Sequence, residues 1–136
     1  MDLATSMLVA ASGMRAQSAR MRTIAENIAN ANSTASSASA DPYRRKIATI
    51  SSAFDRDLNA TLVQAGRPAP DMSDFRTEYD PGNPAANKQG YVKLPNVNSL
   101  VEIMDMREAQ TSYEANVNVL DASKTMLSRT IDLLTK

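Results

Sequence analysis

The chain has 136 residues, enough for one domain of ordinary size, and its 15 basic and 15 acidic residues cancel. A net charge of zero gives no global electrostatic reason to expect nucleic acid or an anionic membrane as a partner. Cysteine and histidine are absent, which excludes disulfides, thiol nucleophiles, imidazole bases and most transition-metal sites. Aromatic residues are 4% of the chain, so we expect its apolar residues to form helix seams rather than a globular core.

The first predicted element is a helix over residues 2–30, in which apolar side chains recur at alternating steps of four and three. This heptad pattern is typical of a helix that packs along a partner helix. Gly13 lies inside the helix, either as a tolerated weakness or because a neighbouring helix approaches closely. The seam is rich in Met and Ala, so the helix alone should be marginal in water. The seam residues that we assign to an assembly interface are Leu3, Met7, Met14, Met21, Ile24 and Ile28.

Residues 31–98 are predicted to form a linker and a small β-rich insert. The linker, residues 31–41, is rich in Ser and Ala, and short strands are predicted at 44–52, 74–79 and 91–94. Residues 54–64 fit either a helix or a strand. The basic triplet Arg44, Arg45 and Lys46 is interpreted as a solvated strand edge or a protein-contact patch, with a nucleic-acid patch as the alternative.

The last predicted element is a helix over residues 99–136, with Ser99 and Glu102 spaced as a capping box. At 1.5 Å per residue it would be roughly 55 Å long, more than a domain of this size can cover. Something outside the chain must therefore cover part of it. The seam residues that we assign to the assembly interface are Ile103, Met106, Tyr113, Val117, Leu120, Leu127, Ile131 and Leu134.

These elements predict a mainly α fold with a small β-rich insert. The terminal helical domain would combine residues 1–30 and 99–136, and its two long helices would form an antiparallel, coiled-coil-like pair. Carboxylates such as Asp55 and Asp57, or Asp71 and Asp74, are interpreted as turn and surface groups rather than as an acid–base pair. The sequence therefore predicts no catalytic, cofactor or metal site.

No apolar run reaches the roughly 18 residues that span a bilayer, so we expect no direct membrane insertion. We also expect no cleavable secretory signal, because Asp2 stands where a basic region would be and Arg15 and Arg20 interrupt the apolar pattern. The protein would then stay in the cytoplasm or leave by a route that needs no such signal.

Several stretches of the chain resemble the family of bacterial flagellar basal-body rod and hook proteins. The segments at residues 11–17 and 24–34 resemble the N-terminal signature that the whole family shares. The segments at 42–46, 79–84, 90–92 and 95–98 resemble subunits of the proximal rod, and 112–117 and 124–130 agree with that. The residues that we assign to the family signature are Asn27, Asn30, Asn32, Pro42, Tyr43, Arg44, Arg45, Lys46, Tyr113 and Asn116.

The resemblance implies a structural subunit of the rod, the shaft that carries torque through the periplasm to the hook. It implies export through the flagellar type III apparatus. The implied partners are copies of the chain, other proximal- and distal-rod subunits, and components of the rod base and membrane ring. The alternatives from the residues themselves are a cytoplasmic coiled-coil adaptor or secretion chaperone, and a nucleic-acid binder that uses the basic triplet.

Overall fold

The computed structural model describes residues 2–135 and consists of two long helices with short strands between them. Helix α1 covers Leu3–Ala29 and helix α2 covers Ser99–Leu134, so the predicted mainly α fold with a small β-rich insert is confirmed. The strands are β1 (Lys46–Ile47), β2 (Ile50–Asp55), β3 (Ala60–Ala65), β4 (Ala69–Pro70), β5 (Arg76–Tyr79) and β6 (Tyr91–Leu94).

The strands form three separate antiparallel pairs, β1 with β4, β2 with β3 and β5 with β6. The single strand predicted over 44–52 is wrong, because the chain leaves the β1–β4 pair at Ile47 and enters the β2–β3 pair at Ile50. Residues 54–64 belong mostly to the β2–β3 hairpin, and Asn59 in its loop takes a left-handed φ of 47°, which Asn tolerates well. The predicted strand at Tyr91–Leu94 is confirmed.

The chain divides into two compact units, and each contains part of both helices. The hairpin unit comprises residues 2–21, Thr49–Arg67 and residues 107–135. Its buried positions are small: Ala10, Ser12, Ala16, Ala60, Ala109 and Ser123. The buried Ser12 hydroxyl accepts a hydrogen bond from the Val63 N–H at 3.1 Å, which ties the β2–β3 hairpin to α1.

Gly13 of the hairpin unit lies directly against Asn116 of α2. A Cβ atom added to Gly13 would lie 3.0 Å from the amide nitrogen and oxygen of Asn116. Arg20 of α1 also forms an ion pair with Glu108 of α2, with 3.0 Å between nitrogen and oxygen. The structure therefore favours close approach over tolerated weakness as the reason for a glycine in the middle of α1.

The signature unit comprises Arg22–Ala48 and Pro68–Met106. Its buried apolar residues include Ile24, Val92, Pro95 and Val97, and Asn27 and Glu102 are fully buried among them. Helix α2 begins at Ser99 as predicted, but the predicted capping box is wrong. The cap is Asn98, whose side-chain oxygen accepts from the Leu100 N–H at 3.1 Å.

Candidate functional site

The signature residues Asn27, Tyr43, Arg45 and Lys46 meet Glu102 in one polar cluster inside the signature unit, called here the signature cluster. The side-chain amide of Asn27 forms the two hydrogen bonds to Lys46 that the backbone of a neighbouring strand would form. Its amide nitrogen donates to the Lys46 carbonyl at 2.8 Å, and its amide oxygen accepts from the Lys46 N–H at 2.9 Å. The same oxygen accepts from the Tyr43 hydroxyl at 2.9 Å, and the nitrogen also donates to Glu102 at 3.0 Å. These four bonds use both donors and both acceptor sites of the amide.

Glu102 is a carboxylate with only 1% of its surface exposed, so it requires compensation by charge and hydrogen bonds. One oxygen accepts from Arg45 Nε at 2.6 Å and the other from Asn27. The Arg45 guanidinium also contacts Asp71 at 3.3 Å and Asp105 at 3.7 Å. Because Glu102 is engaged here, it does not serve the capping box that its spacing from Ser99 predicted.

The electrostatics of the cluster follow from these contacts. Burial alone would lower the pKa of Arg45, but the hydrogen bond and charge of Glu102, followed by those of Asp71, hold it above its usual value. Burial, followed by the negative charges of Glu26 and Glu102, raises the pKa of Tyr43 to about 12. The backbone and side chain of Ser73, followed by Arg45, hold the pKa of Asp71 below its usual value, although desolvation opposes them.

The three cationic side chains of the basic triplet have partners within the signature unit. Arg44 donates to the Asp71 and Ser73 carbonyls at 2.9 and 3.0 Å, and its guanidinium lies 4.2 Å from the centre of the Phe75 ring. Lys46 forms an ion pair with Glu26. Arg44 and Arg45 are therefore held within the signature unit, so the solvated-edge interpretation fits only Lys46, which lies in β1 and whose side chain is 41% exposed.

The remaining signature residues have different surroundings. Asn30 donates from its side chain to the Glu26 carbonyl at 2.8 Å, near the end of α1. Pro42 is buried, whereas Asn32 is exposed. Tyr113 and Asn116 are half-buried on α2 and belong to the hairpin unit. Apart from Asn32, the signature residues are therefore buried or half-buried within one of the two units.

The predicted seam residues differ in exposure between the two helices. On α1, Ile24 is buried and the others are half-buried: Leu3, Met7, Met14, Met21 and Ile28. On α2, four are half-buried: Met106, Tyr113, Val117 and Leu120. The other four are exposed: Ile103, Leu127, Ile131 and Leu134. The buried positions of α2 are instead Glu102, Ala109 and Ser123, so small and polar residues occupy the covered side of this helix.

The end of α2 is the most exposed apolar part of the hairpin unit. Residues 124–135 are all exposed, and Leu134 has 81% of its surface open. We call this the terminal apolar surface, and its large side chains are Met126, Leu127, Ile131, Leu133 and Leu134. Exposed apolar groups at this density are typical of a surface that another protein covers.

Sequence reasoning missed Glu102 as a cluster residue and Asn98 as the helix cap. The signal for Glu102 was a carboxylate in the first turn of a helix together with three consecutive cations elsewhere in the chain. Within residues 2–135 there is no group of acidic, His or Cys side chains arranged to hold a metal ion. A search of the same residues found no helix with the length and hydropathy needed to cross a membrane.

Comparison with known proteins identifies the family. A family model described as "Flagella basal body rod protein" matches residues 7–35, and one described as "Flagellar basal body rod FlgEFG protein C-terminal" matches residues 88–133. The chain is 48% identical to the flagellar basal-body rod protein FlgC of Agrobacterium fabrum, over 97% of this chain and 95% of that protein. It is 36% identical to FlgC of Bacillus subtilis, over 94% of this chain and 95% of that protein. The chain belongs to the FlgC family of flagellar basal-body rod proteins.

Proposed function

We propose that this structural rod subunit polymerises through its two terminal helices and thereby transmits torque along the drive shaft in the periplasm. The observation that carries the proposal is the terminal apolar surface, where large apolar side chains are exposed over the last three turns of α2. Burial of apolar area contributes roughly 25 cal/mol per Å², so covering this surface favours association.

The proposal includes an antiparallel, coiled-coil-like pairing of α1 and α2. Two contacts in the hairpin unit support it, since Gly13 lies against Asn116 and Arg20 pairs with Glu108. From the first contact to the second, the residue number rises along α1 and falls along α2, as it does between antiparallel helices. Continued in this register, Leu3 would lie opposite about Met126, and the later residues of α2 would extend past the start of α1. Neighbouring subunits would cover that overhang.

The partners that we propose are copies of this chain and the other proximal- and distal-rod subunits. We also propose contact with the rod base and membrane-ring components, and export through the flagellar type III apparatus. Family membership supports these assignments, because rod proteins work in one assembly. The alternative of a nucleic-acid binder loses its support, because Arg44, Arg45 and Lys46 bind partners within the signature unit.

The test is a charge placed on the terminal apolar surface. Leu127→Asp should prevent incorporation into purified basal bodies and abolish swimming in cells that lack the unmodified protein, while the cellular level of the chain stays normal. Leu127 is 43% exposed, so the substitution removes little internal packing. Leu120→Asp should have the same effect on incorporation, with a larger effect on the subunit itself because Leu120 is half-buried.

Thr125→Asp is the matched control, because it adds the same charge about 160° around the helix from Leu127 at another exposed position. It should leave incorporation intact. Normal swimming by cells that carry Leu127→Asp would contradict the proposal.

A further inference from the structure

The β2–β3 hairpin has one edge whose backbone groups are directed outward. Its ladder includes a hydrogen bond from the Gly66 N–H to the Thr49 carbonyl at 2.9 Å. Residues in an antiparallel ladder alternate between hydrogen-bonded and non-hydrogen-bonded pairs. The backbone N–H and C=O groups of Ser51 and Ala53 therefore point toward β3. Those of Ile50, Ser52 and Phe54 point away from it.

Two other strand edges are occupied by side-chain hydrogen bonds. The outward N–H of Val63 on β3 donates to the Ser12 hydroxyl at 3.1 Å. On β1, both the N–H and the C=O of Lys46 are bound by the side chain of Asn27. A polar side chain thus takes the place of a further strand at each of these edges.

The remaining edges carry the residues that commonly discourage strand addition. On β6, Asn87 binds Tyr91 twice, accepting from its N–H at 3.0 Å and donating from its own N–H to the Tyr91 carbonyl at 2.9 Å. Strand β5 carries Arg76 and Glu78, and β4 ends at Pro70. The outward backbone groups of Tyr91 are therefore already hydrogen-bonded, and the charges of β5 and the proline of β4 disfavour pairing with a further strand.

Strand β2 combines an outward edge with an uncharged sequence, whereas the equally uncharged β3 has its outward edge bound by Ser12. From Ile50 to Ala53 it has neither charge nor proline, and its first charged residue is Asp55 at its end. Ile50 is 41% exposed and Phe54 is 60% exposed. An uncharged edge that also exposes large apolar side chains is suited to pairing with another strand.

We propose that β2 pairs antiparallel with β2 of a second copy of this chain, with Ser52 at the centre. The segment Ile50–Phe54 reads apolar, polar, polar, small, apolar, and it is complementary to itself in this register. Ile50 lies opposite Phe54 of the second copy, and Ser52 lies opposite its own counterpart. All three outward-facing residues then form hydrogen-bonded pairs, and each Phe54 ring packs against an isoleucine.

This contact has two-fold symmetry, so it joins two copies and cannot continue into a polymer. It is an interaction of the free subunit, distinct from the helical contacts of the proposed function, and it does not depend on them. Because the strands are short, we expect a weak dimer, well below the stability of an obligate one.

The experiment measures dimerisation of the full chain by sedimentation velocity over a wide concentration range. All proteins carry Leu127→Asp, which removes association through the terminal apolar surface. In this background the chain should dimerise, and Ser52→Lys should raise the dissociation constant on the order of tenfold, because it sets two like charges opposite each other. Ser51→Lys adds the same charge on the other face of β2 and should dimerise like the parent.

Charge reversal provides a second test that a merely misfolded variant could not pass. Ser52→Glu should also dimerise weakly by itself, whereas an equal mixture of Ser52→Lys and Ser52→Glu should dimerise at least as well as the parent. A parent that stays monomeric at every concentration would overturn the proposal. A Ser52→Lys variant that dimerises like the parent, or a mixture that shows no recovery, would do so too.

Discussion

At the scale of single residues, the signature cluster gives Asn27, Tyr43, Arg45 and Lys46 partners within one unit. The side chain of Asn27 accepts a hydrogen bond from the outward N–H of Lys46 on β1. Glu102 forms an ion pair with the neighbouring Arg45. A buried carboxylate is stable here because each of its oxygens accepts a hydrogen bond from a side chain. The cluster therefore holds the end of α1, the segment at Tyr43–Lys46 and the start of α2 within one unit.

Tyr43 gives this cluster a measurable alkaline signature. The neutral hydroxyl is favoured in the folded chain, because burial, followed by the charges of Glu26 and Glu102, raises its pKa to about 12 from 10.0. The stabilisation is fully present below pH 10.0 and is lost as the pH rises through about 12. Absorbance titration of tyrosinate should therefore show a late step, near pH 12, that belongs to Tyr43.

The Tyr43→Phe variant should lose that late step. Tyr79→Phe, which removes an exposed hydroxyl, should retain it. If the late step persists in Tyr43→Phe, the assignment of the alkaline signature to this cluster is wrong.

The residues of this site were only partly predictable. The resemblance to rod proteins placed Asn27 and the basic triplet in a signature, but a sequence does not show which carboxylate an arginine will meet. Glu102 has the spacing of a capping box with Ser99, and local spacing takes no account of Arg45, which lies 57 positions away in the chain. The charged hydrogen bond to a guanidinium is stronger than one to a backbone N–H, so the distant partner prevails.

At the scale of elements, the start of α2 depends on Asn98. Replacing Asn98 with Ala should lower the free energy of unfolding by about 1 kcal/mol, because the Leu100 N–H loses its acceptor. Urea unfolding followed by far-ultraviolet circular dichroism would measure the change. Ser99→Ala, one residue further along, should have an effect within about 0.5 kcal/mol. Equal losses for the two variants, or a larger loss for Ser99→Ala, would contradict the Asn98 cap.

The elements themselves were predictable to different degrees. Both helices follow from long heptad patterns, which depend only on the local sequence. Strand pairing depends on distant residues, and this is why the predicted strand over 44–52 divides between two sheets. The covered side of α2 also escaped prediction. There Gly13 lies against Asn116, and the buried positions of α2 in the hairpin unit are the small residues Ala109 and Ser123 rather than large apolar ones.

At the scale of the whole molecule, the hairpin unit has small buried residues and large exposed ones. Ordering the backbone costs about 1–2 kcal/mol per residue, and small buried side chains offset little of that cost. We therefore expect the two ends of the chain to fluctuate in the free subunit and to become ordered on assembly.

Amide hydrogen exchange on the dilute full chain would measure this difference. Protection should be weakest over residues 3–21 and 124–134, and strongest beside Asn27 and Glu102, where buried hydrogen bonds surround the backbone. The same measurement on assembled material should show protection at both ends. Strong protection over residues 3–21 in the dilute chain would contradict the coupling of order to assembly.

The four hydrogen bonds of the Asn27 side chain also restrict which residues can replace it. Aspartate has the same shape but no donor for the Lys46 carbonyl, and it would set a second negative charge beside Glu102. Glutamine has the donors and the acceptor, but one more methylene moves them out of line with the strand. Neither of its nearest chemical neighbours can replace it, so we expect this site to tolerate far less drift than the exposed Asn32 five residues later.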